Sequence, residues 1–187
     1  MRHYLRLAAF SAICLTAAGC ATKGSTPGEF QPGTGDQIRE EKRGDETVIQ
    51  YDLNRDKKAD VWKFTKTIGG KDTVLRKEKD LNGDGKVDLW EFYNEDGSMP
   101  KVIWDMDFDG RQDVVLIFEK GVLVRKEYDL DFDKKFDLWK FYENNKLVRQ
   151  ERDTNGDGRV DYWEYWENNE IDRIGLDSDG DGQVDKW

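Results

Sequence analysis

Asp153-Thr-Asn-Gly-Asp-Gly-Arg-Val-Asp161 decides how the rest of the chain reads. Its positions 1, 3, 5 and 9 carry side-chain oxygens, and Gly158 stands at position 6. Those alternate residues turn inward together when the backbone curls around a point. A hard cation such as Ca²⁺ takes six to eight oxygens at about 2.3–2.6 Å and accepts mixed carboxylate, amide, carbonyl and water ligands. The glycine allows the sharp turn that returns position 9 toward position 1.

The phrase occurs six times. Its ligand-type positions are Asp52, Asn54, Asp56 and Asp60; Asp80, Asn82, Asp84 and Asp88; Asp105, Asp107, Asp109 and Asp113; Asp129, Asp131, Asp133 and Asp137; Asp153, Asn155, Asp157 and Asp161; Asp177, Asp179, Asp181 and Asp185. The intervals between first residues are 28, 25, 24, 24 and 24, the mark of a repeat architecture. Asp, Asn and Gly also make plain turns. Six copies, all with Asp at position 9, favour the cation reading. By charge count, the third and sixth loops, with four carboxylates and the glycine, should bind tightest. The second and fifth carry Asn at position 3. The first and fourth carry Lys57 and Lys134 at position 6 and are expected to be weak or empty.

Hydrophobic residues make up 36 % of the 187 and charged residues 37 %. That is thin core material for a compact globule, yet 7 Trp, 7 Tyr and 9 Phe are too many for a disordered acidic tail. An extended repeat satisfies both facts, because each unit buries a face only against its neighbours. Of the 40 Asp and Glu, 21 occupy the loop positions above. A formal charge of −10 with no basic stripe excludes nucleic acid as a partner and favours a cation.

The N-terminus reads as an export signal, residues 1–19, with Arg2 and Arg6 around an apolar run from Leu7 to Ala18. The run is too short for a transmembrane helix. Leu15-Thr-Ala-Ala-Gly-Cys20 resembles the lipobox of bacterial lipoproteins, with Ala17 where that family usually has Leu. The resemblance implies lipidation of Cys20, a membrane anchor and, from Ala21, the outer membrane. An ordinary secretory signal is the alternative. Cleavage there leaves 28 basic against 40 acidic residues, no second cysteine and no histidine. In an exported chain without disulfides, bound metal is a substitute staple. Residues 20–46, with Pro27 and Pro32 among glycines, read as a flexible tether. A short helix over Asp36–Lys42 is the alternative.

From Thr47 to Trp187 the pattern is strand, loop, strand, turn. Val122–Tyr128 is a strand, Asp129–Asp137 a loop, Leu138–Tyr142 a strand, Glu143–Lys146 a turn, and Leu147–Arg152 the next strand. No sustained 3.6 period supports a helix. The fold class expected over 47–187 is therefore all-β: an elongated repeat of antiparallel β-hairpins, about six units of period 24 and eleven strands. The strand after each loop alternates, so Trp62 and Phe64, Trp90 and Phe92, Trp139 and Phe141, and Trp163 and Tyr165 share a face, with Val115 and Ile117 in the third unit. The strands before the loops are more polar, so the opposite face is expected to be wet.

The loop Asp105-Met-Asp-Phe-Asp-Gly-Arg-Gln-Asp113 resembles the D-x-D-x-D-G-x-x-D calcium loop of integrin-type β-propeller repeats and the first half of an EF-hand loop. An EF-hand implies flanking helices and a Glu at position 12. Here position 12 is Lys63, Glu91, Leu116, Lys140 or Glu164. The β-hairpin version closes on the position-9 Asp. The resemblance implies ligands from side chains 1, 3, 5 and 9 and a carbonyl at 7. Leu138-Trp-Lys-Phe-Tyr-Glu-Asn-Asn-Lys-Leu147 is similar to MORN-like repeats, which are stacked hairpins.

Paired carboxylates could act in glycoside hydrolysis, but they sit in repeated loops and an active site should occur once. No enzyme is expected. The expectation is a calcium-binding, membrane-anchored envelope lipoprotein with a structural or adhesive role. Its partners would be the membrane, through its lipid, and an envelope glycan or surface protein. The alternatives are a polysaccharide- or peptidoglycan-binding module using the aromatic face, and a polysaccharide hydrolase.

Overall fold

Two-residue turns with two left-handed residues match the natural twist of β-hairpins, and Gly and Asn reach that conformation at least cost. Gly69-Gly70, Lys120-Gly121, Asn144-Asn145 and Asn168-Asn169 all have positive φ, and each joins two strands. In the computed structural model, which describes residues 35–187, these turns build one continuous meander. The strands are β1 (Asp36–Arg43), β2 (Glu46–Asp52), β3 (Val61–Ile68), β4 (Lys71–Lys79), β5 (Leu89–Phe92) and β6 (Lys101–Trp104). They continue as β7 (Val114–Glu119), β8 (Val122–Tyr128), β9 (Leu138–Glu143), β10 (Lys146–Arg152), β11 (Tyr162–Glu167) and β12 (Glu170–Leu176). All are antiparallel and lie in sequence order in one open 12-stranded sheet. No helix occurs among the described residues.

Twelve strands form where eleven were expected, because β1 occupies Asp36–Arg43. The sequence places that segment in the tether or in a short helix. Instead it pairs with β2 from Asp36 opposite Asp52 to Arg43 opposite Glu46. Its side chains are almost all exposed, so no apolar alternation marks it in the sequence. Backbone pairing to a neighbour that does have a buried face holds it in place. The signal segment 1–19, Cys20 and the start of the tether lie outside the described residues.

Because the strands alternate in direction, all six acidic loops fall on one rim of the sheet and the short turns on the other. Successive loops are two strand spacings apart, roughly 10 Å.

The register assigns the faces. One row across the sheet runs Phe64, Arg76, Phe92, Lys101, Ile117, Arg125, Phe141, Arg149, Tyr165, Arg173. The next row on the same face runs Trp62, Glu78, Trp90, Ile103, Val115, Glu127, Trp139, Glu151, Trp163. The aromatics do share a face, as their spacing requires. The polar residues of the preceding strands, however, stand between them and not on the opposite side. Arg76 lies 3.5 Å above the Phe64 ring and 2.8 Å from Glu78. Arg149 lies 4.1 Å above Phe141 and 3.0 Å from Glu151. Guanidinium stems cover apolar surface while their heads meet carboxylates and ring faces. A single-layer sheet with little apolar material thus shields its aromatics from within the layer.

The opposite face is less wet than expected. Val61, Leu89 and Leu138, each the residue after a position-9 Asp, are 2 %, 5 % and 6 % exposed. A buried Lys79–Glu91 ion pair at 2.7 Å lies on this side too.

Candidate metal centre

Each loop is built by its own carboxylates before any ligand is considered. In all six, the amide of position 9 donates to the carbonyl of the residue before position 1, at 2.8–2.9 Å, and closes the loop mouth. The carboxylate of position 1 then accepts the amide of position 6 at 2.7–2.8 Å in every copy. The carboxylate of position 9 accepts the amide of position 2 in every copy. Position 3 accepts the amide of position 5 at 2.8–3.1 Å. These are Asx-type turns, in which a short side chain replaces a backbone acceptor.

The turns demand left-handed backbone at positions 4 and 6, with φ between 62° and 95° in all six loops. Glycine supplies this at position 6 in four loops. Lys57 and Lys134 adopt it in the other two, at φ 71° and 86°, and their amides still bond Asp52 and Asp129. A lysine at position 6 therefore leaves the hydrogen-bonded frame intact. Position 4 went unnoticed in the sequence, because Arg55, Phe108 and Phe132 carry no hint of positive φ. The signal available was glycine at the same position in the other three copies: Gly83, Gly156 and Gly180.

Positions 1 and 9 form the floor. Asp88 and Asp105 are 1 % exposed, and Asp52, Asp60, Asp80, Asp113, Asp129 and Asp153 are also buried. Asp137, Asp161 and Asp177 are half-buried and Asp185 is exposed. Positions 3 and 5, namely Asn54, Asp56, Asn82, Asp84, Asp107, Asp109, Asp131, Asp133, Asn155, Asp157, Asp179 and Asp181, are exposed and form the lip.

In three loops the carboxylates of positions 1, 3 and 9 offer oxygens that lie within 4.8 Å of one another. These are Asp105, Asp107 and Asp113; Asp129, Asp131 and Asp137; and Asp177, Asp179 and Asp185. They are the loops with Asp at position 3. Position 5 is not among them: Asp133 and Asp181 each give one oxygen to the position-7 amide, and Asp109 binds the Arg111 guanidinium at 2.8 Å. Three converging carboxylates are a donor set able to hold a hard metal ion.

The three clusters differ electrically. At Asp177 burial is outweighed by the amides of Gly182, Gly180, Asp179 and Asp181, which hold the carboxyl below its ordinary 3.8. At Asp105 burial wins, with help from the charges of Asp113 and Asp107, and pushes the carboxyl above 3.8 despite the pull of the Gly110 and Phe108 amides. Oδ1 of Asp105 and Oδ1 of Asp129 are buried without a hydrogen-bond partner. In the first, second, fifth and sixth loops the corresponding Oδ1 accepts the position-4 amide.

Neighbouring loops are joined. The position-1 amide of each loop after the first donates to the position-9 carbonyl of the one before, at 2.8–3.0 Å. Position 7 adds a second link that sequence reasoning passed over: Lys135 Nζ donates to the Gly156 carbonyl at 3.3 Å, and Arg159 to the Gly180 carbonyl at 2.7 Å. Lys58, Lys86 and Arg111 fill the same position in earlier loops.

No family model and no curated protein matches this chain. Among solved structures, the chain is similar to part of the accessory secretory protein 1, 2 and 3 structure from Streptococcus pneumoniae, at 11 % identity and a TM-score of 0.36. That match covers 67 % of this chain and 20 % of the other. A GtfA/B complex is similar at 16 % identity and a TM-score of 0.32, covering 78 % of this chain and 22 % of the other. The chain spans about a fifth of the length of either.

Proposed function

We propose that this chain is a calcium-binding lipoprotein of the bacterial envelope, anchored through Cys20, whose role is structural or adhesive. The observation that carries the cation reading is the pair of buried carboxylate oxygens, on Asp105 and Asp129, that lack a partner inside three-carboxylate clusters. A buried charged oxygen left unpaired costs free energy that a bound cation recovers. Calcium suits the donor set better than magnesium, which keeps its waters and wants a rigid octahedron. Loop side chains at positions 1, 3, 5 and 9 would hold it, and the ion would offset the repulsion of a carboxylate-lined rim. The lipid anchor and outer-membrane placement rest on the lipobox resemblance alone.

The glycan-binding alternative is weakened by the cations above Phe64, Phe92, Phe141 and Tyr165, which occupy ring faces that a sugar would use. The repetition of the carboxylate loops still speaks against a hydrolase.

Titrating calcium into chelated protein while following melting temperature tests the cation reading. A site with free ion at 100 times Kd adds about 2.7 kcal/mol, so the transition should move up by several degrees. An unmoved transition at millimolar calcium removes the metal from the proposal. Metabolic labelling with a fatty acid, with Cys20→Ser as control, tests the anchor.

A further inference from the structure

Counting carboxylates together with the position-6 glycine ranks the third and sixth loops first, and the side-chain geometry ranks them differently. The third and fourth loops alone combine two independent features. Each gathers three carboxylates within 4.8 Å. Each also has a position-1 Asp, 1 % or 5 % exposed, whose Oδ1 has no partner. The sixth loop has the cluster, but its position-1 Oδ1 already accepts the Gly180 amide at 2.8 Å, and that Asp is half-buried. The second and fifth loops give their Oδ1 the amides of Gly83 and Gly156, each at 2.7 Å. In the fourth loop the position-4 residue is Phe132, and Asp129 Oδ1 is left without this bond.

We infer that the third and fourth loops are a pair of primary cation sites that fill before the other four, and that in the fourth loop Phe132 raises this rank by withholding the position-4 amide from Asp129. This rests on the cation reading above. The physical reason is competition. A carboxylate oxygen held by an amide gives up part of that bond's strength when a metal approaches it. An oxygen buried and unpaired gives up nothing and loses a desolvation penalty. Lys134 does not reverse the rank, since its amide bonds Asp129 as glycine would and its side chain is exposed. The two sites are also neighbours on the rim, so a protein carrying two ions would be stiffened at the middle of the sheet.

The test is calorimetric titration of calcium into chelated protein, for the wild type, Asp129→Asn, Asp177→Asn and Phe132→Gly. The expected wild-type result is two sites about tenfold or more tighter than the rest. Asp129→Asn should leave one tight site, and Asp177→Asn should leave both. Phe132→Gly keeps every carboxylate and should weaken one of the two tight sites several-fold. Each variant is first checked for a wild-type circular dichroism spectrum in chelator; Asp129→Asn keeps a side-chain oxygen for the Lys134 amide, removes a buried charge whose Oδ1 has no partner, and should pass. Loss of a tight site in Asp177→Asn, with Asp129→Asn unaffected, overturns the ranking but not the cation reading. Sites of equal strength, or a Phe132→Gly isotherm identical to wild type, overturn it too. Absence of any heat in the wild type overturns both.

Discussion

The amide of Asp129 donates to the carbonyl of Asp113 at 2.8 Å, so the last floor residue of one loop and the first of the next share a backbone hydrogen bond. The same relation recurs between every two successive loops. A rim of carboxylates that should repel is thereby locked at a fixed spacing by neutral backbone groups. The loops are the sheet's hems as well as its candidate cation sites, and their side chains should matter for stability even without metal.

Asp88 makes this measurable. It is 1 % exposed and accepts the amides of Leu81 at 2.7 Å and Asn82 at 3.3 Å. Asp88→Ala leaves both donors without their acceptor, and a loss of about 1–3 kcal/mol is expected in chelated protein. Urea denaturation in excess chelator checks it. A value near zero would mean that the acceptor matters only when an ion is bound.

Lys134 has φ 86° and no glycine's freedom. Lys134→Gly should stabilise chelated protein by about 0.5–1 kcal/mol, as relief of left-handed strain exceeds the entropy glycine adds to the unfolded chain. The reverse change, Gly158→Lys at φ 89°, should cost about the same 0.5–1 kcal/mol. Paired denaturation curves read both.

Arg149 serves two partners, the ring of Phe141 and the carboxylate of Glu151. Arg149→Met keeps the apolar stem and removes the charge. A loss of about 1 kcal/mol at neutral pH is expected. Adding Glu151→Gln should recover part of it, because burial already pushes the Glu151 carboxyl upward and its ionised form then keeps only the charge of Arg125 to offset that burial. A double-mutant cycle gives the coupling.

Asp105 predicts a pH effect with a definite sign. Burial holds its folded carboxyl above the ordinary 3.8. On acidification toward 3.8 the folded state therefore takes up this proton before the unfolded state does, and this group's contribution to stability grows. Asp105→Asn should gain over wild type at neutral pH in chelator, and that advantage should shrink as pH falls toward 3.8. Asp45, hydrogen-bonded to and charge-paired with Lys66, has a lowered carboxyl and acts with the opposite sign below 3.8. Melting curves of both proteins across this window decide the matter.

The all-β meander was legible because the loop phrase recurs and the turns carry their own chemistry. Asn144-Asn145 could be placed as a turn from its neighbours alone. β1 was not legible, since an exposed strand such as Asp36–Arg43 leaves no hydrophobic trace. Nor was the interleaving of Arg76 and Glu78 between Phe64, Trp62 and Trp90. Alternation tells which residues of one strand share a side, but register between strands depends on turn length and on bulges. One residue, Leu75, is skipped where Phe64 pairs with Arg76 and Thr65 with Val74. Within the loops, ligand-type residues were readable and their competition for backbone amides was not. Phe132 looks like a spacer until the hydrogen bonds are drawn.

Every strand from β1 to β12 is paired through its backbone ladder only with its neighbours in sequence. Nothing clamps the first hairpin to the last, so disruption at one margin need not spread. Tension applied across the strands should peel the ribbon open hairpin by hairpin, with many small rupture events and no single large one. Ions held at mid-sheet would then act as a ratchet stop, dividing the molecule into halves that yield separately.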